Sequence, residues 1–148
     1  MSNIAFASSL LSVAESMVET LSTQYISDLE VSVNKHKTSR ELLTIAEENG
    51  VETAIEEKEK LMKYIDSRDV LFKLLIVLWN QIRSKNPSKE LVKKLLERYD
   101  EKAGEFLEYA REMSLENNIG DNDYLYECNV FKTERDRVIK LLTICNLI

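Results

Sequence analysis

Residues 70–82 read Val-Leu-Phe-Lys-Leu-Leu-Ile-Val-Leu-Trp-Asn-Gln-Ile. Only Lys73 interrupts an apolar run that a helix would present on every side. Such a helix has to be surrounded, by the rest of its own domain or by a partner. The run is shorter than the about 20 apolar residues a bilayer crossing demands. It is therefore expected to form the buried central helix of an all-α domain. Glycine occurs three times and proline once, too little turn punctuation for a many-stranded fold. The composition, 44% hydrophobic and 31% charged, is that of a globular chain. At 148 residues it suits a single domain with a sizeable core.

A second constraint lies at the N-terminus. Ile4, Ala7, Leu11, Ala14, Val18, Leu21 and Tyr25 recur at alternating spacings of three and four, an unbroken heptad seam. Phe6, Leu10, Val13 and Met17 add a flanking stripe. This predicts a first helix over 3–29 with an apolar face wide enough for a bundle. Asn34 to Lys37 reads as a solvated connector. Thr38 with Glu41 reads as a capping box that starts a second helix near Ser39. Asn49-Gly50 supplies its stop.

A third helix is expected over 52–84, charged in its first half and apolar after Asp69. Pro87 marks the next boundary, with Ser88 as cap. A fourth helix over 89–117 carries the heptad Val92, Leu96, Tyr99, Ala103, Phe106, Ala110, Met113. The small residues Ala103, Gly104 and Ala110 suggest close packing against Ala7 and Ala14, roughly 8 Å between axes. A last helical region is expected over 123–146, with a restart at Thr133-x-x-Asp136. The fold expectation is thus one domain of four to six mostly antiparallel helices around 70–82.

No catalytic, cofactor or metal site is expected. His36 is the sole histidine and reads as an exposed loop residue between two lysines. One histidine argues against zinc and against a di-iron bundle. The isolated glycines build no phosphate loop. Asp121 and Asp123 suit helix capping better than a calcium loop. The adjacent acids give no sign of the divergent environments that paired catalytic carboxylates need. Cys128 and Cys145 are expected to be reduced thiols, and Trp79 to be core.

Charge divides into zones. Glu41, Glu47, Glu48, Glu52, Glu56, Glu57 and Glu59 form an acidic one. Arg83, Lys85, Lys89, Lys93, Lys94 and Arg98 form a basic one, a candidate surface for a charged partner. A net charge of −6 disfavours general nucleic-acid or anionic-membrane binding. The expected function is a non-enzymatic, cytoplasmic protein-interaction module acting as adaptor, scaffold or inhibitor. Its predicted homodimer interface is Ile4, Leu11, Val18, Leu21 and Tyr25. An apolar helix wrapped by amphipathic ones is also the general plan of Bcl-2-like regulators, which hold a partner's helix in a groove. That alternative rests on analogy of architecture, because no Asn-Trp-Gly-Arg-type start precedes the central helix. A nucleic-acid accessory role for residues 83–98 is a further alternative.

Overall fold

The structure is a computed structural model describing residues 3–148, with side chains from residue 9 onward. The described chain is all-helical. Its elements are α1 (Asn3–Glu48), α2 (Glu52–Arg83), α3 (Lys89–Leu115) and α4 (Asp121–Ile144).

Turn chemistry explains where three of the helices stop. Gly50, at φ +74°, lets its own N–H reach Glu47 O and the Val51 N–H reach Ala46 O. This is the left-handed helix terminus for which glycine is suited. Asn117 and Asn146 take the same left-handed position at the ends of α3 and α4. The next residues, Asn118 and Leu147, donate to Met113 O and Leu142 O. Leu147 is buried beneath this last cap, while Ile148 stays exposed. Ser88 Oγ caps α3 by accepting from the Leu91 N–H at 3.1 Å. At the start of α4, the Asp123 carboxylate accepts from the Gly120 N–H at 3.0 Å.

Neighbouring helices in the chain run antiparallel. Down the α1–α2 pair, Glu47 meets Lys58, Arg40 meets Asp66, His36 meets Asp69 and Tyr25 meets Trp79. Between α2 and α3, Tyr64 stacks on Phe106, and Tyr109 donates to Lys60 O. Between α3 and α4, Tyr99 donates to Phe131 O and Arg135 clasps Asp100. The second half of α2 supplies Leu71, Phe72, Leu75, Leu78, Trp79 and Ile82 to the core. Phe106 and Phe131 complete it in edge-to-face contact, centroids 5.4 Å apart. The run at 70–82 is not buried all round, since Val70, Lys73 and Val77 are exposed along one side.

Several sequence expectations are corrected. Residues 3–48 form one helix, not two joined by a connector. Thr38 is no cap: its hydroxyl donates back to Asn34 O, as serine and threonine do inside helices. No break occurs at Thr133, which lies within α4. Among the described residues α1 and α3 do not form one of the extensively packed pairs, and the Ala7 side chain lies outside those residues. A Cβ added at Gly104 would meet nothing within 4 Å, so close packing does not account for that glycine.

The continuity of α1 is directly testable. Lys37→Pro should lower stability by about 3 kcal/mol or more, because it removes a helical hydrogen bond and collides with the preceding turn. Urea denaturation checks this; a loss below about 1 kcal/mol would point to a connector there after all.

Candidate functional site

Two features of the molecule are not explained by core packing alone. The first is a polar interlock tying α1, α2 and α4. His36 is buried, with Nδ1 2.9 Å from Asp69 Oδ1 and Nε2 2.8 Å from Arg68. A guanidinium only donates, so Nε2 accepts, and the hydrogen of the neutral ring sits on Nδ1 and is donated to Asp69. Arg68 also donates through Nε to buried Glu127 at 2.6 Å, and its guanidinium lies over the Phe72 ring. Asp69 takes a further ion pair from Lys73 at 2.8 Å.

These partners set the protonation states. Burial lowers the His36 pKa below its usual 6.5, and the Arg68 charge reinforces this against the opposing bond to Asp69. Burial alone would raise Asp69, but the bonds from Lys73 and His36 outweigh it and hold the carboxyl below its usual 3.8. Tyr64 nearby is pushed well above the normal phenol range by burial and by the Glu127 carboxylate. Ser39 shares a small cleft with His36 and Arg68. The imidazole cannot activate that hydroxyl in this arrangement, since Arg68 already occupies Nε2. A general base needs a free acceptor within hydrogen-bond reach. Through these contacts the interlock ties α1, α2 and α4 together.

The second feature is the end of α1. That helix has 46 residues against 32 in α2, so at about 1.5 Å per residue it is longer by roughly 20 Å. The antiparallel register sets Arg83, the last residue of α2, near Ser22. Residues before Ser22 therefore extend past the α2 partner. From Ser22 onward one stripe of α1 faces the bundle: Ser22, Ile26, Leu29 and His36 are buried, with Val33, Arg40 and Leu43 half-buried. Between residues 9 and 21 most apolar side chains stay in solvent, Val18 alone being half-buried against the bundle. Leu10, Leu11, Val13, Met17 and Leu21 are 54%, 65%, 56%, 58% and 37% exposed.

This projecting segment forms one wall of a groove of about 730 Å³. Leu11, Ala14 and Val18 line it from α1, and Ile82, Ile144 and Cys145 from the ends of α2 and α4. Glu15, Glu19, Arg83 and Lys85 stand on the same walls.

Among the candidates for self-association, Leu11 and Leu21 are exposed, whereas Val18 and Tyr25 are half-buried against the bundle. The Ile4 side chain lies outside the described residues. Of the basic candidates, Arg83, Lys85, Lys89, Lys93, Lys94 and Arg98 are all exposed, but they are not one surface. Arg83 and Lys85 belong to the groove, Lys94 pairs with Glu90, and Arg98 faces a separate cleft between α2 and α3. Sequence reasoning placed His36 in solvent and missed the network around it. The buried stripe 22, 26, 29, 33, 36 keeps heptad spacing, moved by one position from the seam at 4–25. Following that shift would have reached His36. Cys128 and Cys145 are both free and half-buried. Comparison with protein-family models, with curated proteins and with solved structures finds no match.

The interlock makes stability acid-sensitive. The folded chain keeps His36 neutral, while the unfolded chain protonates it near its usual 6.5. Stability should therefore fall as pH drops below that value, and again below 3.8 as Asp69 gains a proton more readily in the unfolded chain. Urea midpoints at pH 8.0 and about 5.5 check the first step. In His36→Gln the midpoint should be lower at both pH values, with a smaller difference between them. An unchanged difference would contradict this account.

Proposed function

We propose that this chain is a non-catalytic helical interaction module that self-associates through the projecting end of α1. The observation that carries this reading is the apolar surface, Leu10, Leu11, Val13, Met17 and Leu21, left exposed on α1 where it runs past the end of α2. Most helical stability in proteins comes from packing an apolar face, so a projecting segment that lacks such packing gains from being covered. Fully burying one Leu or Met side chain contributes about 1.5–3 kcal/mol. Several such side chains on one face supply ample drive for association. A dimer is the smallest assembly that covers the segment.

The non-catalytic part of the proposal rests on His36, whose ring nitrogens are both engaged, and on charged residues spread over helix surfaces. The module would act as adaptor, scaffold or inhibitor inside the cell. No described helix is long and apolar enough to cross a membrane. The groove beside the projecting segment also favours a second reading, capture of a different protein's amphipathic helix. Titration with amphipathic helical peptides separates the two, because binding that competes with self-association would place both on one surface.

Leu11→Glu with Met17→Glu should leave helicity unchanged, since both side chains are exposed. It should convert the protein to monomer over a concentration series in light-scattering mass measurements. An unchanged mass would remove the projecting segment from the interface.

A further inference from the structure

The same groove carries unmatched charges of both signs. Glu15 and Glu19 project from α1, and Arg83 and Lys85 from the end of α2 and the turn after it. Among the described residues none of these four makes an ion pair. The projecting segment has no cation of its own, since the first lysine or arginine is Lys35. An occupant that is apolar, and acidic where it passes Arg83 and Lys85, would complement the groove. The α1 end of a second copy has each of these properties.

We infer that the groove of each protomer is filled by the projecting α1 end of a second copy, the two ends crossing antiparallel about a two-fold axis. This inference rests on the self-association proposed above and adds its geometry. The two-fold brings Glu15 and Glu19 of each copy towards Arg83 and Lys85 of the other, so both sets of charges are met in trans. An isologous contact of this kind closes at two copies. A parallel pairing would instead set Glu15 beside Glu15 and Glu19 beside Glu19, where like charges repel. Ala14, the small residue on the groove wall, gives the incoming helix room to approach.

Reciprocal charge reversal tests the interlock on the full chain. Glu15→Lys/Glu19→Lys and Arg83→Glu/Lys85→Glu are changes at exposed positions, and circular dichroism checks that both variants fold. Each variant alone should self-associate about tenfold or more weakly than wild type in sedimentation equilibrium, because its trans contacts become repulsive. An equimolar mixture should recover most of the lost affinity, since both sets of contacts become attractive again in the mixed dimer. Native mass spectrometry, with one variant isotopically labelled, should show that mixed species dominating.

A wild type that stays monomeric at every concentration would overturn the self-association reading and this inference with it. A wild-type dimer whose reversed variants gain nothing on mixing would overturn the interlock alone. Tighter pairing of wild type with Glu15→Lys/Glu19→Lys than with itself would indicate parallel ends, and would also overturn it.

Discussion

A helix can bury its apolar face only as far as its neighbour runs. That constraint organises this molecule, because α1 is far longer than the α2 helix it packs against. Over their shared length the two form a continuous antiparallel contact from Glu47–Lys58 to Tyr25–Trp79. Past Ser22 α1 keeps its apolar spacing but loses its neighbour. Leu10, Leu11, Val13, Met17 and Leu21 are exposed there. The groove, its charged rim and the proposed assembly all derive from the difference in helix length.

The interlock around His36 helps hold the register that leaves this end projecting. Sliding one α-helical turn along α2 would separate His36 from Asp69 and Arg68, and would strand charged groups in the core. Breaking a buried pair by removing one partner typically costs about 3–5 kcal/mol, well above the value of an exposed surface pair. The Lys58–Glu47 and Lys60–Glu116 bridges are more exposed and constrain the helices less. The single histidine thus sits where α1, α2 and α4 share a polar contact. Arg68 links the three by donating to His36 and to Glu127.

Much of the architecture was legible from sequence because the signals were local. The breaks at Gly50, Pro87 and Gly120 follow from backbone chemistry that a few residues determine. All-helical character followed from scarce glycine and proline together with long three-four spacings. What was not legible depends on tertiary partners. Asn34 to Lys37 looks like a connector because its polar character is read without its neighbours. In the fold, His36 turns inward to Asp69 while the adjacent lysines face water. Thr38 and Glu41 match a capping pattern, yet inside a longer helix the same hydroxyl bonds back to Asn34. Gly104 and the alanines around it suggest close packing against α1, but a Cβ at Gly104 would meet nothing within 4 Å, and Ala103 and Ala110 lie on the core side of α3. On the candidate surface, the heptad named Leu11, Val18, Leu21 and Tyr25 alike, of which Leu11 and Leu21 are exposed while Val18 and Tyr25 are half-buried. It could not show that Ile82, Ile144 and Cys145 complete a groove, because those residues come from the ends of other helices.

The central claim is that the projecting part of α1 is covered by association. Amide hydrogen exchange, measured on the full chain at high and low protein concentration, tests this most directly. Residues 10–21 should be protected at high concentration and lose that protection on dilution. Residues 26–47, covered by α2 in the same molecule, should exchange equally slowly at both concentrations. Exchange in residues 10–21 that is fast and independent of concentration would contradict the claim, because the segment would then stand alone in solvent.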